Sequence, residues 1–236
     1  MRDHLITARG LYFEYPGGFR VLENIDLVIS RGEVISVVGG SGAGKTTLLM
    51  ILSGLLKPSR GDLEIKSSRI GILLQNYEDM LLFPTVDEEI NDIAEAIARE
   101  RSVSREEIIR ELIERFGLRD LLRKKIYWLS AGERKRLVLA IVFSRDPEIV
   151  FLDEPLTDLD EVGREILIKE ILEIKKRRGA VVIASNEIGF PREISDRICI
   201  INKGRIVSCL ESNEVCLYKD LLYKNSVRVP RIDICC

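Results

Sequence analysis

The apolar residues of the chain follow two different periods, and the places where the period changes mark its predicted elements. Residues 5–13 and 21–29 flank a Tyr-Pro-Gly-Gly turn sequence at 15–18, which together predict two strands joined in an antiparallel hairpin. Residues 34–38 are almost all apolar, as in a strand that is buried on both faces of a parallel sheet. Residues 70–74 predict another short strand.

Between about residues 85 and 144 the apolar residues recur at helical spacing instead. Capping boxes of the form Ser/Thr-x-x-Glu at 85–88 and 104–107 each precede such a run, and a third box lies at 130–133. Residues 137–143, behind the third box, are apolar on every side, so we expect that helix to be buried.

Strands are predicted again at 149–152, 181–184 and 197–201, with a helix over about 159–178 between the first two. This order is typical of an α/β fold with a mostly parallel core sheet. The pattern adds an N-terminal antiparallel β subdomain and an α-helical subdomain inserted at about residues 76–146. Residues 212–236 form a tail whose weak pattern gives no assignment.

Composition narrows the class of protein. The chain has 236 residues, 46% of them hydrophobic, which is enough for a substantial core. A net charge of -2 provides no general basic field for nucleic acid, and no stretch approaches the roughly 20 apolar residues of a membrane span. The first residues do not resemble a signal peptide, so we expect a cytoplasmic protein. Five cysteines, none in a C-x-x-C pair, are then expected to be reduced thiols.

A glycine-rich loop between the apolar strand at 34–38 and a helical run is the strongest chemical signal. It fits the pattern G-x-x-x-x-G-K-[ST], which predicts a phosphate loop, and hence an α/β P-loop fold that binds a nucleoside triphosphate. Its backbone N–H groups and the helix N-terminus would surround the phosphates. Lys45 would reach the β- and γ-phosphates and Thr46 would bind Mg²⁺. The residues predicted to hold the nucleotide here are Gly39, Gly40, Ser41, Gly42, Ala43, Gly44, Lys45, Thr46 and Thr47.

Acidic and amide side chains at the ends of two predicted strands supply the remaining chemistry. Asp153 ends an apolar strand, where its carboxylate can meet the Mg²⁺ at the phosphate loop. Glu154 follows it at the carboxyl edge of the sheet, well placed to act on the attacking water as a base. Gln75 follows the strand at 70–74 and could contact both metal and water.

Ser130 is predicted to cap the N-terminus of a buried helix. Its hydroxyl and the free N–H groups of the first turn, with Gly132 and Glu133, would form an anion site. Two chains packed head to tail could bring this site to the nucleotide of the other chain. Taken alone, the same residues favour a structural capping box.

In this order, these motifs resemble those of the ATP-binding cassette ATPases. The resemblance covers roughly residues 3–211 and rests on the phosphate loop, Gln75, the signature at 129–133, the strand with its acids at 151–155, and Thr-Asp-Leu-Asp at 157–160. Residues 75–79 and 83–86 are more particularly similar to the energy-coupling factor importers of vitamins or metal ions. The resemblance implies that Tyr15 stacks on adenine; a hairpin-turn aromatic is the alternative.

Three positions of the chain depart from that family's pattern. Ala131 replaces a glycine and Glu133 the commonest glutamine, but the backbone donors survive both changes. Asn186 stands at the switch position, where the family has a histidine that bonds the γ-phosphate. Asparagine offers an N–H₂ donor on a shorter arm, and loss of one such donor costs about 10²–10³ in rate. Hydrolysis would then be slow, unless Asn186 is an adequate replacement.

The resemblance implies an ATPase that uses ATP and Mg²⁺, pairs with a second ATPase subunit, and powers a membrane importer through separate integral membrane subunits. It would lie on the inner face of the cell membrane, with no nucleic acid partner. Because Asn186 occupies the switch position, a second hypothesis stays open, in which this chain is a catalytically weak ATP-binding partner in a heterodimer. A soluble, non-transport ATPase of the same family is disfavoured because about 55 residues between Gln75 and Ser130 cannot hold coiled-coil arms.

Overall fold

The structure, a computed structural model, describes residues 3–229, and the strands of that part form two sheets. The strands are β1 (His4–Tyr15), β2 (Phe19–Ser30), β3 (Val34–Val38), β4 (Arg60–Ile65), β5 (Ile70–Leu73), β6 (Ile149–Asp153), β7 (Ala180–Ser185), β8 (Arg197–Asn202) and β9 (Arg205–Glu211). The α-helices are α1 (Lys45–Leu52), α2 (Val86–Arg101), α3 (Arg105–Arg115), α4 (Ala131–Phe143), α5 (Glu161–Lys176), α6 (Gly189–Ile194) and α7 (Lys219–Lys224). Single 3₁₀ turns lie at Tyr77–Met80, Arg119–Leu121, Ile126–Trp128 and Val215–Tyr218.

The predicted hairpin forms the antiparallel sheet, in the order β2-β1-β4. The third strand, β4, was not predicted, because its charged residues give it little apolar alternation. The core sheet has the order β5-β6-β7-β3-β8-β9 and is parallel except for β9. The predicted α/β class, with a mostly parallel core sheet and an N-terminal antiparallel sheet, is therefore confirmed.

Each face of the core sheet is covered by a separate apolar cluster. On one side α1 packs between the two sheets, with Leu48 and Leu52 fully buried beside Ile35 and Phe151. On the other side, α4 and α5 join the helices α2 and α3 in a second cluster. Strands β3, β6 and β7 are buried along their whole length, as their unbroken apolar runs predicted.

The three predicted capping boxes have different outcomes. Ser130 and Glu133 form the complete box at the start of α4, each side chain bonding the other's backbone N–H. Ser104 accepts from the N–H of Glu107, which is half a box. The box at Thr85 is wrong, because the Thr85 hydroxyl donates to the Glu88 carboxylate at 2.5 Å and no longer caps the backbone.

An ion pair ties the helical region to the helices of the core. Arg115, at the end of α3, donates two parallel hydrogen bonds, of 2.7 and 2.6 Å, to the carboxylate of Glu170 on α5. Glu170 is 2% exposed, so its charge depends on this partner. The hydrogen bonds to Glu170 raise the pKa of Arg115, and burial opposes that effect.

The part of the tail that the structure describes, which the sequence pattern left unassigned, is folded. After β9 it forms the 3₁₀ turn at Val215–Tyr218 and then α7. Leu222 and Val227 are buried in one cluster with Val38 on β3 and Ile200 on β8 of the core sheet. The tail is thus part of the folded core from its helices to Val227.

The expectation of reduced thiols is wrong for this structure. Cys199 on β8 and Cys209 on β9 are directly paired across the antiparallel strands and form a disulfide. Cys216 is disulfide-bonded as well. The remaining cysteines, Cys235 and Cys236, lie outside the described residues.

Within residues 3–229, no helix combines the length and the apolar character that crossing a bilayer requires.

Candidate nucleotide site

Three neighbouring parallel strands bring the predicted site residues to one edge of the core sheet. Val38 at the end of β3 pairs with Ser185 at the end of β7, and Asp153 at the end of β6 pairs with Ala184. The carboxyl ends of these strands are where ligands bind in open α/β sheets. The phosphate loop, the acids at 153–154 and the switch position at Asn186 therefore share this edge.

The phosphate loop follows a path that requires glycine at several points. Gly42 and Gly44 have φ values of 75° and 103°, in the left-handed region that side chains disfavour. A Cβ at Gly39 would lie 2.3 Å from the carbonyl oxygen of Ile201. The loop is thus a cradle that a Cβ would fill, which fits a ligand held by backbone N–H groups.

Lys45 is held in place by the loop that precedes it. Its ammonium donates to the carbonyl oxygens of Gly39 and Gly40, at 2.9 and 3.0 Å, and the side chain is 7% exposed. Burial lowers the pKa of Lys45, while the carboxylates of Glu154 and Asp153 act in the opposite direction. One N–H of the ammonium remains for a phosphate oxygen.

Thr46 and Asp153 meet directly. The Thr46 hydroxyl donates to Oδ2 of Asp153 at 2.5 Å, although the two residues lie on different elements. Burial raises the pKa of the Asp153 carboxyl, and the hydrogen bond from Thr46 lowers it. A hydroxyl and a carboxylate beside a phosphate cradle form the hard oxygen donor set that Mg²⁺ prefers, so the residues fit that ion.

Gln75 is exposed, whereas Asp153 is buried. The strand β5 ends at Leu73, two residues before Gln75, so the predicted strand was too long by one residue. The side chain of Gln75 is exposed, and no hydrogen bond to another described residue holds it. Its role at the metal remains a prediction.

Glu154 has an unusual backbone conformation. Its φ is 45°, yet its N–H still donates to the carbonyl oxygen of Ala184 on β7, at 3.0 Å. Burial raises the pKa of the Glu154 carboxyl; Lys45 and a backbone hydrogen bond from Asn186 lower it. A half-buried carboxyl with a raised pKa, next to a phosphate cradle, has the properties of a general base.

Asn186 and Glu154 line one small cavity of 240 Å³. Its other walls come from the turn after Glu154, from the segment after β7, and from the tail: Pro155, Leu156, Thr157, Ser185, Glu187, Phe190 and Arg228. The predicted base and the predicted switch residue thus lie in the same cavity.

Tyr15 lies at the end of β1, close to the helix that follows the phosphate loop. Its hydroxyl is 3.3 Å from that of Thr47, and its ring packs edge-on against Phe13, with centroids 4.9 Å apart. The side chain is 38% exposed, which leaves part of the ring open to a ligand. Both interpretations of Tyr15 agree with this placement.

The signature lies at the N-terminus of α4, and its Ser130 makes no side-chain hydrogen bond to the phosphate loop. Within residues 3–229, Ser130 makes its side-chain hydrogen bonds with Glu133 alone. A Cβ at Gly132 would lie 3.1 Å from Cβ of Asp160, the residue that caps α5. The signature therefore packs on the turn that follows the acids at 153–154.

Two functional candidates were missed by sequence reasoning. Lys135 on α4 is 1% exposed, and its ammonium lies 4.3 Å from the ring centroid of Tyr77. The Tyr77 hydroxyl in turn donates to Asp158, at 3.3 Å. A charged residue two positions before a buried apolar run was the available signal for Lys135. For Arg228, the signal was the alternation of polar and apolar residues at 226–229.

Comparison with known proteins identifies a family for the chain. The ABC transporter family profile matches residues 22–157. The EcfA energy-coupling factor transporter ATP-binding protein of Methanothermobacter thermautotrophicus is 31% identical over 241 residues, which span 96% of this chain and 77% of EcfA.

Solved structures share the fold. CbiO1 of Clostridium perfringens, part of the ABC transporter complex CbiONQ, superposes with a TM-score of 0.74 at 28% identity, over 98% of this chain and 97% of CbiO1. A dimeric ATP-binding cassette in a post-hydrolysis state, bound to ADP and Pi, gives a TM-score of 0.76 at 23% identity, over 88% of this chain and 98% of its own. At that identity the second likeness concerns the fold alone. The profile match over residues 22–157 and the 31% identity to EcfA show that the chain belongs to the ABC transporter family of ATPases, among relatives of the EcfA and CbiO type.

Proposed function

We propose that this chain is the ATP-binding and ATP-hydrolysing subunit of a membrane importer, and that it works as a head-to-tail dimer. The observation that carries the proposal is the contact between Thr46 and Asp153 at 2.5 Å, with Lys45 and Glu154 beside it. Cation, hydroxyl and two carboxylates at a phosphate cradle are the groups that phosphoryl transfer to water requires.

Each group has a part in the reaction. The phosphate loop and Lys45 bind and orient the phosphates, while Thr46 and Asp153 would hold Mg²⁺, which neutralises charge on the phosphate oxygens. Glu154 accepts a proton from the attacking water, and its raised pKa brings it closer to the operating pH. Asn186 lies in the same cavity and can donate through its amide.

The signature supports the head-to-tail arrangement. Ser130 and the first turn of α4 present free N–H groups, but bond nothing at the phosphate loop of their own chain. In a head-to-tail dimer, the signature of each chain would close the nucleotide site of the other. A solved structure with this fold is a dimer bound to ADP and Pi.

The relatives support the importer. EcfA is named as an energy-coupling factor transporter subunit, and CbiO1 as part of a transporter complex. We propose that separate integral membrane subunits receive the motion through the helical subdomain, inserted at about residues 76–146, and through the region around Gln75. The chain then lies on the cytoplasmic face of the membrane.

Asn186 favours a second candidate, a catalytically weak chain that binds ATP and contributes Ser130 to an active partner. The asparagine side chain is shorter than histidine and carries no ionisable ring. Glu154 is intact, which argues against complete inactivity.

Mg²⁺-dependent ATP hydrolysis by the purified chain separates these candidates. The wild type is compared with Glu154→Gln and Asn186→His, and with Glu165→Gln, an exposed glutamate on α5, as the matched control. We expect turnover that Glu154→Gln abolishes and Glu165→Gln leaves unchanged. A silent wild type that Asn186→His activates would instead support the weak partner in a heterodimer.

Mixing two inactive variants tests the dimer. Lys45→Ala removes the phosphate-binding cation, and Ser130→Glu places a carboxylate where a phosphate would bind. In a head-to-tail heterodimer of the two, one site carries both lesions and the other carries neither. We expect each variant alone to be inactive and the mixture to recover activity. If the mixture stays inactive, although a tagged copy shows that the two chains pair, the signature does not act in trans.

A further inference from the structure

The end of the described tail forms a short parallel bridge with the switch segment. The N–H of Arg228 donates to the carbonyl oxygen of Asn186 at 2.8 Å, and the N–H of Ile188 donates to the carbonyl oxygen of Arg228 at 2.9 Å. Arg228 and Glu187 are the bridged residues. The backbone of Arg228 is thus fixed next to the residue that replaces the family's histidine.

Further contacts fix the approach to this bridge. The amide of Asn202 donates to Asn225 at 2.8 Å, and Val227 is 3% exposed. A Cβ at Gly40 of the phosphate loop would lie 2.9 Å from Cβ of Ser226. The tail therefore runs from the phosphate loop to the switch segment in close contact with both.

Arg228 is the single cationic side chain among the residues that line the 240 Å³ cavity. Two carboxylates, those of Glu154 and Glu187, line the same cavity. Within residues 3–229, however, the guanidinium of Arg228 has neither a salt bridge nor a side-chain hydrogen bond. Five N–H donors are thus available in a cavity that contains the predicted catalytic base.

Glu154 lines this cavity and is also close enough to Lys45 of the phosphate loop to act on its charge. Lys45 reaches the β- and γ-phosphates in phosphate-loop proteins, and here its ammonium interacts electrostatically with Glu154. Arg228 lines the same cavity as Glu154, so its guanidinium could supply a second cation near the γ-phosphate. Guanidinium groups stabilise the charge that develops on a transferred phosphoryl group. One guanidinium can donate two parallel hydrogen bonds to two phosphate oxygens.

We propose that Arg228 contacts the γ-phosphate of ATP bound to its own chain and supplies the donor that the switch histidine would provide. The proposal rests on the ATP site described under Proposed function. The packed tail holds Arg228 in place, and the carbonyl oxygen of Asn186 positions it by accepting the hydrogen bond from its backbone N–H.

Binding measurements test the contact without need of turnover. In the Glu154→Gln background, calorimetry gives the affinities for Mg²⁺-ATP and Mg²⁺-ADP with and without Arg228→Ala. Since only ATP carries the γ-phosphate, we expect Arg228→Ala to weaken ATP binding about 10-fold or more and to change ADP binding less than about twofold. Lys224→Ala, which removes an exposed cation of the same tail, is the matched control and should change neither affinity.

Kinetics separates a contact with the reacting phosphate from support of the fold. Arg228→Ala should lower the hydrolysis rate about 10²–10³-fold, and free guanidinium at millimolar concentration should restore part of it, which a structural defect would not allow. Arg228→Lys should retain an intermediate rate. Equal weakening of ATP and ADP, or ATP binding and hydrolysis unchanged in Arg228→Ala, would overturn the proposal. If Glu154→Gln and Lys45→Ala also leave hydrolysis unchanged, the proposed function fails instead.

Discussion

The hydroxyl of Thr46 and the carboxylate of Asp153 are 2.5 Å apart, although 107 positions of sequence separate them. The pairing follows from the parallel sheet, in which β6 and β3 flank β7 and end at the same edge. Thr46 belongs to the first turn of α1, directly after the loop that β3 feeds. The short contact places a hydroxyl and a carboxylate where one metal ion could take both as ligands.

We predict that Asp153→Asn impairs metal binding more than it impairs folding. An amide oxygen is a weaker ligand for Mg²⁺ than a carboxylate, so hydrolysis should fall at least about 10²-fold, and higher Mg²⁺ should recover part of it. Asp62→Asn, on the exposed strand β4, is the control. The check is the hydrolysis rate against Mg²⁺ concentration. An unaltered Mg²⁺ dependence in Asp153→Asn would exclude this carboxylate from the metal site.

Much of this edge of the sheet could be predicted from the sequence. The apolar runs at 34–38, 149–152 and 181–184 are buried on both faces, and each is followed within two residues by a predicted site residue: Gly39, Asp153 and Asn186. Glycine, lysine and threonine in fixed order identify the phosphate loop because each has a distinct physical task. The local sequence pattern was sufficient to predict a feature wherever that feature depends on a single strand or loop.

The parts that the sequence did not predict depend on contacts between distant segments. The strand β4 is half charged and forms because β1 offers it an open edge. The tail orders because Leu222 and Val227 find an apolar surface at Val38, which no tail pattern could specify. Arg228 reaches the switch position through that packing.

Tyr15 provides a prediction that separates its ring from its hydroxyl. If the ring stacks on adenine, Tyr15→Phe should bind ATP nearly as well as the wild type, and Tyr15→Ala should bind it about 10-fold more weakly. If the bond to Thr47 matters instead, both variants should lose affinity equally. A competition assay with ATP and GTP is the measurement. Phe19→Ala, at an exposed aromatic on the other side of the hairpin turn, serves as the control.

The disulfide between Cys199 and Cys209 can be tested directly. Trypsin cleaves after Lys203 and Arg205, between the two cysteines, so a non-reduced digest with blocked thiols should contain the two peptides linked. The closed loop is short and its strands are already paired, so Cys209→Ser should lower the free energy of unfolding by at most about 3 kcal/mol. Separate peptides in the non-reduced digest would show that the pair is reduced in the purified protein.

Lys135 leads to a prediction about stability and pH. Burial lowers the pKa of its ammonium to about 8, and Asp158, Asp153 and Glu154 oppose that effect. The unfolded chain keeps this proton up to about pH 10.4, so between about pH 8 and 10 it binds more protons than the native state. Stability contributed by this group therefore rises with pH through that range, because the cost of burying the charge disappears.

Lys135→Met should remove this cost at every pH. At pH 7 we expect the variant to be more stable than the wild type by up to about 3 kcal/mol, and the difference should shrink as the pH rises towards 10. Urea unfolding at several pH values gives both curves, with Lys169→Met, an exposed lysine on α5, as the control for loss of a charge. A less stable Lys135→Met at pH 7 would mean that the contact with Tyr77, at 4.3 Å, and the nearby carboxylates stabilise the ammonium by more than burial costs.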